Sequence, residues 1–136
     1  GVLLEINCET DFVAKTEDFQ TLAKDIAMHI AAANPIAVNR EDIDNSIIEN
    51  EREIYTEQAR NSGKPDNIIE KMIDGRLSKF YQENVLMEQI FVKDSEKKIS
   101  DLITQSVSNL GENIVIARFV RFQLGETAAK PSDSNE

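Results

Sequence analysis

A chain of 136 residues with 40% apolar content suits one domain with its own core, and a charged fraction of 29% is ordinary for a soluble protein. No apolar run approaches the roughly 20 residues that span a bilayer, so no membrane role is expected. The net charge of -10, from 25 acids against 15 Lys and Arg, disfavours direct nucleic-acid binding and suits a basic protein surface as partner.

Gly1 opens inside an apolar, strand-like segment with neither a basic leader nor a small-residue cleavage site, which reads as a fragment boundary with upstream structure missing. Residues 2–8 alternate: Val2, Leu4, Ile6 and Cys8 on one side, Leu3, Glu5 and Asn7 on the other. That is the period of a half-buried strand. The strand then runs into Asn7-Cys8-Glu9-Thr10-Asp11-Phe12-Val13, where an acid and a large aromatic stand side by side at a strand exit. In one reading Asp11 caps a short turn and Phe12 packs over the sheet end with Val13. In the other, the exposed ring is an anchor for a partner, as aromatics often are. Composition leaves both open.

Thr16 is placed to cap a helix whose first turn carries Glu17 and Asp18, as the helix dipole favours. Phe19, Leu22, Ala23, Ile26, Ala27 and Ile30 form its apolar stripe, and Asn34-Pro35 ends it. A second helix is expected over about residues 46–61, then a break at Ser62-Gly63-Lys64-Pro65, then a third helix from Asp66. The two form a helical hairpin over about residues 46–82. Glu49, Glu51, Glu53 and Glu57 are expected to face Lys71, Arg76 and Lys79 across it, and Gly75 suggests a close helix contact. Residues 84–94 read as irregular. Ser95 is the expected cap of a fourth helix that Gly111 terminates.

A final strand covers residues 114–122. Strict alternation places Ile114, Ile116, Val120 and Phe122 on one side and Val115, Ala117 and Phe119 on the other. Both faces carry apolar groups, and two strands alone are marginal. A missing upstream strand and a second subunit stacking its sheet on this one are both expected; a fourth helix wide enough to cover everything is the alternative. Residues 125–136 read as a disordered tail.

The five glycines are scattered singly and form no phosphate loop, and no nucleophile elbow occurs. The acids of residues 41–57 read as a solvated helix face. The single cysteine and single histidine supply neither a disulfide framework nor a structural zinc site. Cys8 reads as a small core hydrophobe, and His29, at the flank of the first helix stripe, as a packed or edge histidine. The chain reads as a non-enzyme without a cofactor. A reducing compartment is expected; bacterial cytoplasm, mitochondrial matrix and plastid stroma all fit.

Four blocks carry a resemblance: NCETDFVAK (7–15), FQTLAKDIAMHIAAANP (19–35), NSGKPDNIIEKMIDGRLSKF (61–80) and GENIVIARFVRF (111–122). Over nearly its whole length the chain resembles bacterial-type translation elongation factor Ts, the family of nucleotide exchange factors for elongation factor Tu. The resemblance implies an α+β fold: a small antiparallel sheet packed with helices, plus a protruding helical hairpin. It implies a core and dimerisation domain over residues 1–124. Nothing in the chain matches the small helical domain with which family members usually begin. The direct run from the TDFV block into the second block is similar to the short type, in which two chains pair through their sheets. The dimer sheet would then use Val115, Ala117 and Phe119. Some short members carry a bridging cysteine where this chain has Val120, which excludes a covalent dimer there.

By the same resemblance, Thr10, Asp11, Phe12 and Val13 contact elongation factor Tu. The aromatic wedges near the partner's Mg²⁺ site, the metal's hold on the nucleotide weakens, and GDP leaves. Asp11 is implied mainly as a turn former that aims Phe12. A dimerisation or scaffold module with the same fold but no exchange activity of its own is the alternative function.

Overall fold

The computed structural model describes residues 1–128. Positions 129–136, most of the expected tail, lie outside the described residues. Strand β1 (Val2–Asn7) pairs antiparallel with strand β2 (Val115–Arg121). Between them run helices α1 (Asp11–Ala14), α2 (Glu17–Ala33), α3 (Asn45–Arg60), α4 (Asp66–Asn84) and α5 (Ile99–Leu110). This is the expected α+β class.

Helix α2 begins and ends where its sequence dictates. The Thr16 hydroxyl accepts from the Phe19 N–H at 3.2 Å, and Asn34 closes the helix in the left-handed region at φ 48°. Its stripe of Phe19, Leu22, Ile26 and Ile30 is buried in the main core with Leu86, Phe91, Ile99, Ile103, Ile114 and Ile116. Val2, Leu4, Ile6 and Cys8 of the first-strand segment pack onto that core, as the alternation predicts.

Strict alternation fails in β2. Ile6 lies opposite Ile116 but Glu5 lies opposite Arg118, so Ala117 is an extra residue, a bulge. A one-residue slip reverses every face beyond it. Phe119 lies opposite the core residue Leu4 and packs against the main core, whereas the expected arrangement had it on the outer side. Val120 lies opposite Leu3 and points outward, as does Phe122. The outer face is therefore Leu3, Glu5 and Asn7 with Val115, Arg118, Val120 and Phe122, and Ala117 sits exposed at the bulge.

The fourth helix starts later than expected. Ser95 does not cap it; α5 begins at Ile99. The Phe91 N–H donates to the Lys97 carbonyl at 2.8 Å and the Ile99 N–H to the Gln89 carbonyl at 3.1 Å. This small backbone bridge takes groups that a helix through residues 95–98 would need. The true start is fixed by the Asp101 carboxylate, which accepts from the Lys98 N–H at 2.9 Å. Gly111 ends α5 at φ 72°, as expected.

Helices α3 and α4 form the hairpin and bury Ala59, Ile69, Ile73 and Leu77 between them. The expected acid–base pairs across the arms do not form: among the described residues no ion pair joins α3 to α4. Arg76 instead donates to Gln58 Oε1 and lies over the Tyr55 ring at 5.6 Å. The apolar seam sets the register, and exposed pairs worth about 0–1 kcal/mol cannot reset it. At the hairpin base, Leu86 N–H donates to the Ala37 carbonyl at 2.9 Å, and Ala37, Ile43 and Val85 form a third cluster with Phe80 and Tyr81.

Gly75 makes no close helix contact, since an added Cβ would meet nothing within 4 Å. Gly75→Ala therefore stabilises the hairpin by about 1 kcal/mol through helix propensity alone. A thermal melt checks this; an unchanged or lowered midpoint would mean the glycine is required for packing.

Candidate functional site

The segment that leaves β1 forms a one-turn helix, α1. Thr10, in extended conformation, caps α1: its hydroxyl accepts from the Val13 N–H at 3.3 Å. The cap is thus Thr10 and not Asp11. Asp11 sits in the first turn and accepts from Lys15 Nζ at 3.3 Å, an exposed pair one turn apart. Val13 and Ala14 pack against the main core. Successive helical residues point about 100° apart, so anchoring Val13 inward turns Phe12 away. Phe12 is 81% exposed. The ring is not packed over the sheet end but stands in solvent. Cys8, half-buried, donates from Sγ to the Thr10 carbonyl at 3.2 Å and adds to the footing of the turn.

A second hold on this turn comes from far away in the chain. Glu112, in the bend between α5 and β2, accepts at Oε1 from the Glu9 N–H at 3.1 Å and the Thr10 N–H at 3.0 Å. Its Oε2 accepts from the Thr10 hydroxyl at 2.7 Å. In return Glu9 Oε2 accepts from the Asn113 N–H at 2.8 Å. The sequence gives no spacing signal for this pairing, since the partners lie 102 residues apart.

The outer face of the sheet is a second exposed apolar surface. Leu3 is 73% and Phe122 69% exposed, and Val115 and Val120 are about half exposed. Glu5 Oε1 accepts from Arg118 Nε at 3.2 Å in the middle of this face, so the apolar groups flank a single ion pair. Of the three residues expected to form a dimer surface, Val115 and Ala117 are exposed, while Phe119 faces the helices.

His29 is fully buried on α2 and packs beside Phe91. Val92 N–H donates to its Nδ1 at 3.2 Å, which leaves the proton on Nε2 to be donated to Gln89 Oε1 at 2.9 Å. Gln89 Nε2 in turn donates to the Glu83 carbonyl at 2.8 Å. Burial pushes the His29 pKa below its usual value, with the Gln89 hydrogen bond partly opposing. The ring serves as a neutral structural link between α2 and the 86–92 segment. Because the folded value is lowered, the unfolded chain takes up the proton first. Stability is full above about pH 6.5 and declines as pH falls toward the lowered value. Urea titrations from about pH 7.5 down to about pH 5.5 check this: the wild type should lose stability, and His29→Gln should lack that slope.

Among the described residues, no group of three or more His, Cys, Asp and Glu is arranged to hold a metal ion. Among the same residues, no helix is long and apolar enough to cross a membrane. Two exposed apolar features stand out among the described residues: the Phe12 ring and the outer sheet face.

The family model for elongation factor Ts matches residues 20–126. The chain is 56% identical over 133 residues to elongation factor Ts of Carboxydothermus hydrogenoformans, covering 98% of this chain and 61% of the relative. It is 55% identical to that of Geotalea daltonii, covering 96% and 60%. It is 57% identical to that of Thermodesulfovibrio yellowstonii, covering 93% and 63%. The chain thus spans about three fifths of the length of the curated relatives it matches. With its sheet, helices and hairpin in the order described and the family model matched from α2 through β2, the chain belongs to the elongation factor Ts family.

Proposed function

We propose that this chain is the working core of a guanine-nucleotide exchange factor in translation elongation, which promotes GDP release from elongation factor Tu by disturbing that partner's Mg²⁺ site. Phe12, held out in solvent on a turn whose two ends are both anchored, is the observation that carries the reading. Thr10 caps the turn, Val13 anchors it, and Asp11 shapes its first residues. The chain performs no bond chemistry; it shifts an equilibrium in its partner.

The physics is that of coupled binding. Mg²⁺ demands near-ideal octahedral geometry, so a small displacement of its supports weakens its hold on the nucleotide. A coupling of about 3 kcal/mol lowers nucleotide affinity roughly 150-fold, and the nucleotide weakens binding of the factor by the same ratio. Incoming nucleotide thereby drives the factor off for another cycle. The excess of acids supports a protein partner rather than RNA, and the site of action is the cytoplasm, where bacterial translation runs.

Residues 1–124 act as one core and dimerisation unit, and two chains pair through the outer sheet faces that Leu3, Val115, Val120 and Phe122 make apolar. A second reading is favoured by length. Because the chain covers about three fifths of its relatives, it can serve as the dimerisation scaffold while residues elsewhere in the full protein supply affinity for Tu. One experiment separates the two. Elongation factor Tu loaded with fluorescent GDP is mixed with the chain and release is timed. Accelerated release supports the exchange reading; release at the spontaneous rate, with a dimer by sedimentation, supports the scaffold.

A further inference from the structure

Exchange by an exposed ring needs more than exposure. A ring on a floppy turn spends most of its time aimed elsewhere, and a four-residue helix cannot hold itself, because nucleation of a helical turn is unfavourable. We propose that Glu112 is the positioning residue for Phe12: its carboxylate locks the start of α1 and so fixes the direction in which the ring is presented. This rests on the exchange function proposed above.

Three hydrogen bonds converge on the Glu112 carboxylate, from two successive backbone N–H groups and a hydroxyl. Bonds to a charged acceptor are about twice as strong as neutral ones. The bond from the Thr10 hydroxyl matters most. With its proton committed to Oε2 at 2.7 Å, the hydroxyl oxygen is left oriented to accept from Val13 N–H at 3.3 Å. Glu112 therefore sets the cap as well as the backbone before it, and neighbouring bonds of this kind strengthen one another.

The reciprocal bond from Asn113 N–H to Glu9 closes the link, so the α1 turn and the α5–β2 bend move as one piece. The bend itself is fixed by Gly111 in the left-handed region at φ 72°, directly before Glu112. Phe12 is thus aimed from the entry to β2, which lies beside the exit of β1, as well as from its own strand.

Two readouts on Glu112→Ala test this. The first is amide hydrogen exchange at Glu9, Thr10 and Val13, which should quicken by about tenfold or more while the α2 amides keep their protection. The second is GDP release from elongation factor Tu at saturating chain, whose maximal rate should fall by about tenfold or more with the half-saturating concentration changed less. Glu112→Gln, which keeps one oxygen for the two amides, should retain more of both. If Glu112→Ala fails to fold, Glu112→Gln is read in its place, with smaller changes of the same sign expected in both readouts. Loss of protection with an unchanged maximal rate would overturn the proposal, as would protection that stays intact. If the wild-type chain itself does not speed release, the exchange reading fails, and the amide readout alone then decides whether Glu112 orders the turn.

Discussion

On the exchange function proposed above, truncating Phe12 to alanine should slow chain-stimulated GDP release from elongation factor Tu by about 30-fold or more and leave the fold intact. The size follows from the energetics of anchors: removing one central aromatic at an interface costs about 2 kcal/mol or more, and each 1.4 kcal/mol is about tenfold. The intact fold follows from position. At 81% exposure the ring contributes nothing to the core, so its loss shifts stability by no more than about 0.5 kcal/mol. Most aromatic-to-alanine changes lower function and stability together; here they should separate. Thermal melts and stopped-flow release on the same samples check both halves. Val13→Ala is the contrasting variant, since Val13 packs against the core and its truncation should cost stability as well. A Phe12→Ala chain that releases GDP at the wild-type rate would remove the ring from the mechanism.

The second large effect concerns the sheet and separates the two assignments of its faces. Val120→Glu places a charge beside Leu3 on the outer face. In a twofold dimer the change appears twice in one interface. An unpaired charge desolvated there costs several kcal/mol, so the proposed dimer should weaken by more than about 100-fold while each chain stays folded. Phe119→Glu should act in the opposite way. It forces a charge toward the helices and the main core, and the expected result is an unfolded or severely destabilised chain. Sedimentation equilibrium and circular dichroism on the pair give the answer. Had β2 followed strict alternation, the two outcomes would be exchanged.

That contrast shows where the sequence was legible. Helix α2 could be read nearly to the residue, because Thr16, Asn34 and Pro35 are local signals acting on local backbone. The alternation of β1 was equally plain. The face of Phe119 was not, because a bulge at Ala117 is a property of the pairing between two strands more than one hundred residues apart in the chain. Ser95 misled for a related reason: it has the chemistry of a cap, but the bridge from Phe91 to Lys97 takes the backbone first. The charges on the hairpin were visible and their partners were not, since exposed side chains are too weakly held for spacing to dictate pairing.

At the candidate site, the residues Thr10 to Val13 were legible as a motif and by resemblance. Periodicity alone left the ring's direction open, and that was settled by Val13 turning inward. Glu112 had no signal at all. It stood inside the quoted block GENIVIARFVRF, yet nothing local connects that block to Thr10.

The most direct test of the wedge is a thermodynamic cycle. Binding of the chain to elongation factor Tu is measured with the partner nucleotide-free and GDP-bound, for the wild type and for Phe12→Ala. The wild type should bind the GDP form about two orders of magnitude more weakly, and Phe12→Ala should shrink that ratio toward unity, because the proposed mechanism assigns the coupling to the ring. A ratio that survives the loss of the ring unchanged would contradict the account, since the antagonism with GDP would then arise elsewhere in the complex.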